Sequence, residues 1–289
     1  MTIVVGFAPD GRSRAVLHLA AMLARSRGED LVVCAVVPAP WPPSPAKIDA
    51  EYQAYLQGVA ENALSRARAR LPSDVPARFE VVHSHSDATG LLEMAEQAGA
   101  GMIVVGSSAD GVSLGSTSSR LLHSSPVPVA LAPRGFRTSE GARVERATVA
   151  FGGRHEDLVA ATASVAARAG TSLRVAMFAV HPRAPYTSGV GREADDSIVA
   201  QWIEEVRTAA REVAPGADCA VGIGEDWADA LEDIPWTEGD LLVVGSSTIG
   251  PIARVFLGSR AAKIIRHSPV PVVVVPRAHA EELASNPAE

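Results

Sequence analysis

The sequence predicts an α/β protein made of two tandem, doubly wound, five-stranded parallel-sheet domains related by a pseudo-twofold. Three observations predict it. Short β-branched runs alternate with helical patterns, which is the signature of βαβ units and a parallel sheet. The same order of elements occurs twice along 289 residues, a usual length for two domains. Matching words recur in the two halves. Residues 102–108 read Met-Ile-Val-Val-Gly-Ser-Ser, and residues 241–247 read Leu-Leu-Val-Val-Gly-Ser-Ser. Gly115-Ser116 matches Gly258-Ser259, and Ser125-Pro126-Val127-Pro128-Val129 matches Ser268-Pro269-Val270-Pro271-Val272.

In the first half, strands are expected near 2–6, 31–37, 77–83, 102–106 and 127–132. In the second they are expected near 147–151, 172–180, 218–223, 240–245 and 270–275. The intervening segments carry the 3.6-residue period of amphipathic helices. Val16, Leu19, Ala20 and Leu23 form one stripe, and Leu158, Ala161, Thr162 and Val165 repeat it. Leu56, Val59, Ala60, Ala63 and Ala67 form a second stripe, repeated by Val199, Trp202, Val206, Ala210 and Val213. Right-handed crossovers then wind each sheet on both faces. The expected domains are 1–134 and 147–277, joined by a polar linker at 135–146 and followed by a polar tail at 278–289 that frays. Val-Pro-Val marks each fifth strand as a sheet edge, where proline is tolerated. An exposed apolar edge such as Val272 to Val275 is a pairing hazard. Pairing of 127–132 with 270–275 inside the chain would remove it.

Composition narrows the function. Apolar residues make up 47% of the chain but aromatic ones only 4%, so the cores are built from Val, Ala, Leu and Ile. Net charge is −7 with the signs interspersed, which argues against nucleic acid. The run Arg66 to Arg70 has helical spacing and reads as a solvated face. Cys34 and Cys219, each flanked by apolar residues, are expected as buried free thiols in a reducing compartment. The first residues lack a signal-peptide pattern, and no apolar run approaches the ~20 residues of a membrane helix. A cytoplasmic protein without membrane partners is the expectation.

Each fourth strand ends in Val-Val-Gly, followed by a Gly/Ser-rich loop and then Gly-Ser at a helix start. Ligands of open parallel sheets sit at the carboxyl ends of the strands. A glycine there lets backbone approach a phosphate, and the free amides of a helix start attract an anion. Ser116 and Ser259 are equally readable as plain N-caps, and Gly106 and Gly245 as plain turns.

Other chemistries are disfavoured. There is no Walker loop, no Gly-x-Gly-x-x-Gly after the first strand and no Gly-x-Ser-x-Gly elbow. His83 and His85 share a strand face, but nothing nearby in sequence completes a metal site. Glu225, Asp226, Asp229, Glu232 and Asp233 read as a solvated acidic helix face. Trp41 lies in a proline-rich loop after the second strand, read as a surface connection.

These loops carry a family resemblance. The chain resembles the universal stress proteins, whose ATP-binding members carry Gly-x-x-Gly, nine residues, then Gly followed by Ser or Thr. The second half has Gly245-Ser246-Ser247-Thr248, nine residues (249–257) and Gly258-Ser259. The first has Gly106-Ser107-Ser108-Ala109, five residues (110–114) and Gly115-Ser116. Thr248 and Ala109 stand where the family has its second glycine. The start Ile3 to Asp10 is similar to the family's first strand and loop. The resemblance implies a Rossmann-like fold and places Asp10 and Val36 beside adenine. It places Gly106, Gly115, Ser116 and Thr117 at ribose and phosphates, and Gly245, Gly258 and Ser259 at phosphates in the second half. Arg260, just past that helix start, is readable as a cation for a phosphate or, more plainly, as a solvent-exposed Arg on a helix. The implied ligand is ATP or AMP, with magnesium where a polyphosphate binds. The implied role is stress-response regulation through conformation and partners, with at most slow ATP hydrolysis and with homodimerisation as a family habit. The alternative is a nucleotide-free adaptor of the same fold with degenerate loops.

Overall fold

The computed structural model describes residues 2–8, 14–39, 47–107, 115–152, 156–180, 190–248, 255–256 and 259–285. The chain separates into two compact units. Unit 1 is Met1–Arg143 with Ile249–Phe256, and unit 2 is Val144–Thr248 with Leu257–Glu289.

Unit 1 runs β1 (Thr2–Gly6), α1 (Arg14–Arg27), β2 (Asp30–Pro38), α2 (Lys47–Arg68), β3 (Ala77–Ser84), α3 (Asp87–Gln97), β4 (Ala100–Gly106), α4 (Ser116–Ser124) and β5 (Val129–Ala132). Its strands are all parallel, in the order β3-β2-β1-β4-β5. The chain order reverses between β1 and β4, which puts the topological switch point at their carboxyl ends. Unit 2 repeats the plan with β6 (Arg146–Ala150), α5 (Glu156–Ala169), β7 (Ser172–Val180), α6 (Val190–Val213), β8 (Asp218–Gly224), α7 (Trp227–Glu232) and β9 (Asp240–Gly245). Two-residue strands β10 (Ser247–Thr248) and β11 (Val255–Phe256) follow, then α8 (Ser259–His267), β12 (Val272–Val275) and α9 (Arg277–Ser285). The order β12-β9-β6-β7-β8 is the same path, with the switch between β6 and β9.

The helical stripes expected from periodicity are largely buried, with Leu56, Val59, Val165 and Trp202 half-buried. Val16, Leu19, Ala20 and Leu23 are buried, as are Leu158, Ala161 and Thr162. Val199 and Val213 belong to helical residues whose side chains lie outside the described set. Gly28 and Gly170 follow α1 and α5 at φ 64 each, the left-handed turn that ends a helix without a Cβ penalty. The fifth strands begin two residues later than expected. Pro128 and Pro271 lack an N–H for the ladder, yet their carbonyls accept from Ile103 (3.0 Å) and Leu242 (2.9 Å). Just upstream, the Ser125 and Ser268 hydroxyls close identical turns on Val127 and Val270.

Three local expectations are corrected. Residues 277–285 form α9 rather than a fraying tail, because Ala280 is buried and the helix packs on α5. Cys34 is buried, but Cys219 is only half-buried. The acidic segment after β8 is not a uniform solvated face. Asp226 caps α7 by accepting from the amides of Ala228 (2.7 Å) and Asp229 (3.1 Å), and Asp233 accepts from the amide of Ile223 at 2.9 Å. No helix among the described residues is long and apolar enough to cross a membrane.

Candidate functional site

The candidate site of each unit is the carboxyl edge of its sheet at the switch point. In unit 1, Val36 lies near the end of β2, Gly106 ends β4, and Ser116 and Thr117 open α4. Asp10 lies outside the described residues. In unit 2, Gly245 ends β9 and Ser259 and Arg260 open α8. Gly258 and Ala109 lie outside the described residues.

Gly115 occupies the N-cap of α4 with φ −57 and ψ 158 and has no side chain of its own to cap the first turn. The Ser119 amide returns to the Gly115 carbonyl at 2.8 Å, so the amides ahead of it head the helix. By contrast Ser86 caps α3 and Asp226 caps α7. Ser116 is therefore the first helical residue, not the cap. Ser118 is buried and donates to the Gly106 carbonyl at 2.9 Å, which ties the helix start to the strand end. Thr117 donates to Asp87 Oδ2 at 3.2 Å. Asp87, the first residue of α3, had no motif to mark it in the sequence.

The strand-end glycines have a packing reason of their own. A Cβ on Gly106 would meet Val16 Cγ2 at 3.3 Å, and one on Gly245 would meet Leu158 Cδ2 at 3.3 Å. Both absent side chains face the first helix of their unit, so glycine here lets α1 and α5 approach the sheet. Val36 packs toward α3, where a Cβ on Gly90 would meet its Cγ1 at 3.0 Å.

In unit 2 a shallow cavity beside Gly245 is lined by Asp157, Leu158, Ser246, Val275, Arg277 and Ala280. Ser246 bridges the ends of β9 and β12: its amide donates to the Val275 carbonyl at 3.0 Å and its hydroxyl accepts from the Arg277 amide at 3.3 Å. Arg260 reaches back over the end of β6, with Nη1 3.6 Å from where a Gly152 Cβ would stand. Thr248, at the place of the family's second glycine, lies in the extended segment β10.

Other candidate chemistry does not assemble. Among the described residues no group of three or more His, Cys, Asp or Glu side chains is placed to hold a metal. His83 is exposed near the end of β3 and His85 follows that strand. Burial, with Glu80 nearby, pushes the Cys34 thiol up to about 12, which makes it inert as a nucleophile.

The fold defines a class: a tandem, doubly wound α/β protein with a topological switch point in each unit. The model of the Universal stress protein family matches residues 1–133 and again 145–276. The chain belongs to the universal stress protein family. It is 37% identical over 292 residues to a universal stress protein of Mycobacterium bovis, covering 96% of this chain and 100% of that protein. A universal stress protein of Mycobacterium tuberculosis matches to the same extent. A solved universal stress protein from Archaeoglobus fulgidus has the same fold, with a TM-score of 0.59 at 21% identity, covering 95% of this chain and 98% of that one.

Proposed function

We propose that this universal stress protein binds an adenine nucleotide, ATP or AMP, at the switch-point crevices and acts in stress response through conformation and partners. The observation that carries the reading is the start of α4, with Gly115 at its N-cap, tied by Ser118 to the end of β4. Helix-start amides with the positive end of the helix dipole suit a phosphate. Asp10 and Val36 serve the adenine side in unit 1. Gly106, Gly115, Ser116 and Thr117 serve its phosphate side, and Gly245, Gly258, Ser259 and Arg260 serve unit 2, with magnesium accompanying a polyphosphate. Hydrolysis is at most slow, because neither glycine loop contains a lysine. The protein works in the cytoplasm. The fifth strands, 127–132 and 270–275, pair within the chain, and the same family habit extends to a homodimer.

The test is thermal unfolding with ATP, AMP and cyclic AMP. A nucleotide at 100 times its dissociation constant adds about 2.7 kcal/mol. No shift at millimolar concentration of any of the three favours the second reading, a nucleotide-free adaptor. The packing of Gly106 and Gly245 against Val16 and Leu158 supports that second reading, since it explains both glycines without a ligand. Cysteine pairs placed across 127–132 and 270–275 test the strand pairing by oxidative crosslinking, and failure of every pair to crosslink refutes it.

A further inference from the structure

One stretch of unit 1 lies on its sheet without being anchored to it. α2 packs on β2 and β3, at the edge of the sheet away from β5. Its anchoring comes from the second half, where Ala60, Ala63, Leu64 and Ala67 are buried. Of the residues from Ala50 to Val59 none is buried. A helical stretch without buried anchors is marginal in water. Among the described residues three large apolar side chains are exposed, and two of them stand one turn apart on this stretch, Tyr52 at 57% and Tyr55 at 67%. Exposed tyrosines of this kind mark contact surfaces, because they bring large apolar area at small entropic cost.

Gly58 points the same way. Glycine inside a helix is destabilising relative to alanine. A Cβ on Gly58 would meet nothing within 4 Å, so nothing in the chain requires bare backbone there. Bare backbone does let a second helix approach closely. The charges on α2 say which helix. Glu51 is exposed ahead of Gly58, and Arg66 and Arg70 are exposed beyond it. Glu61, also beyond it, accepts from Gln57 at 2.8 Å. A partner of one sign would match one half of the helix and oppose the other. An antiparallel copy of the same helix matches both, because a twofold axis near Gly58 lays each Glu51 beside Arg66 of the other copy. The matching helix of unit 2, α6, differs among its described residues. It exposes Gln201, Glu204 and Glu205, and it bonds them within the helix, Glu204 to Arg207 at 2.7 Å and Gln201 to Glu205 at 3.3 Å.

We propose that α2 is an interface between two copies of this chain: the two α2 helices pair antiparallel about Gly58, cover Tyr52 and Tyr55, and set Glu51 of each copy against Arg66 of the other. The surface is separate from the fifth strands, and the proposal does not depend on nucleotide binding. A single helix pair is a small interface, so the dimer forms and dissociates with concentration.

Sedimentation of the full chain from micromolar to millimolar concentration is the test, and a concentration-dependent dimer is the expected result. Gly58→Gln fills the open space above the helix. It is expected to leave the melting temperature of the dilute protein unchanged or raised, and to weaken association about tenfold or more. Tyr55→Ser removes an exposed side chain and is expected to weaken association as much. Glu51→Arg and Arg66→Glu should each weaken the dimer several-fold, and the two together should restore it. Restoration reports a contact between copies, since the two residues lie about 22 Å apart along one helix. Gly58→Cys in a Cys219→Ser chain, whose remaining Cys34 is buried, is expected to form a disulfide-linked dimer on oxidation. A chain that stays monomeric at every concentration overturns the proposal. So does a dimer unmoved by Gly58→Gln and Tyr55→Ser, which would place the interface elsewhere.

Discussion

The third helix of each unit packs on its strand by a different device. In unit 1 the room is on the helix. Gly90 of α3 lies against Ser84 and Val36, and a Cβ there would meet Ser84 Cβ at 3.1 Å. In unit 2 the matching helix residue is Ala230, fully buried, and the room has moved to the strand. Gly222 and Gly224 of β8 stand where β3 has Val82 and Ser84. A Cβ on Gly222 would run into the backbone carbonyl of Ala230, and one on Gly224 into its amide. The same fold position is thus satisfied by a gap on either partner. The two solutions are not equivalent, because side chains in unit 1 can shift whereas the helix backbone in unit 2 cannot.

A second contrast lies at the opposite edge of the sheets. Unit 2 buries charge at the start of its strands. Asp240 and Arg174 are 1% and 3% exposed, and Arg174 Nη2 lies 3.6 Å from Asp240 Oδ2. Arg174 also donates to Thr148 Oγ1 and to the Pro235 carbonyl, both at 3.0 Å, and stacks 4.7 Å over Trp236. Arg146 flanks Asp240 at 3.3 Å. Burial lowers the pKa of Arg174, with Asp240 opposing that shift. In unit 1 the matching places hold Val4, Val32 and Gly101, with both valines buried. An apolar sheet edge and an ionic one therefore serve the same plan.

The largest effect expected from breaking these contrasts is in that ionic edge. Asp240→Ala leaves Arg174 buried without its counterion and should cost about 3–5 kcal/mol. Replacing Thr148, Arg174 and Asp240 together by Val, Met and Ala, in the apolar style of unit 1, should cost less than Asp240→Ala alone. Urea unfolding followed by tryptophan fluorescence checks both, since Trp202, Trp227 and Trp236 lie in unit 2. A triple variant weaker than the single one would show that the network, not the lone charge, holds the edge.

Next in size is Gly222→Val, expected to destabilise unit 2 by about 1–3 kcal/mol through overpacking against the α7 backbone. Ala230→Gly should not rescue it, because the obstacle is main chain. Gly90→Ala in unit 1 should cost less, since Val36 and Ser84 side chains can move. Denaturation midpoints order the three.

The smallest expected effect is a pH dependence at the segment after β5. The Thr138 amide donates to His18 Nδ1 at 3.3 Å, and burial, with Arg137 and Arg14 nearby, lowers the pKa of His18 below 6.5. The folded state therefore resists protonation. Its contribution is complete above pH 6.5 and is lost as pH falls through the lowered folded value. Protonation also turns the accepting nitrogen into a donor. The protection of the Thr138 amide against hydrogen exchange, relative to its intrinsic rate, should fall in that acid window, and His18→Gln should flatten the response. Unit 2 covers the corresponding helix α5 with α9 instead, and no such profile is expected there.

Much of the fold was legible because its signals are local and occur twice. The β4 and β9 words, the Ser-Pro-Val-Pro-Val turns and the helical stripes each follow from residue type and spacing. The fifth-strand starts were missed by two residues because a proline can accept in the ladder while donating nothing. The tail helix was missed because its burial depends mainly on α5, far away in sequence. At the candidate site the glycines were visible but their packing partners, Val16 and Leu158, were not. Asp87 and Trp227 were missed because only the helix junction brings them to Thr117 and Lys263.

The chain alone determined a duplicated parallel α/β plan, the strand that carries each glycine end, and the absence of a Walker or nucleophile-elbow motif. These depend on periodicity and on which residues lack a Cβ or an N–H. Tertiary structure decided which unit buries charge, on which partner the helix–strand gap lies, and that Asp87 meets Thr117 while Lys263 meets Trp227. Those outcomes depend on contacts between residues distant in sequence, whose energies exist only after the sheet has brought them together.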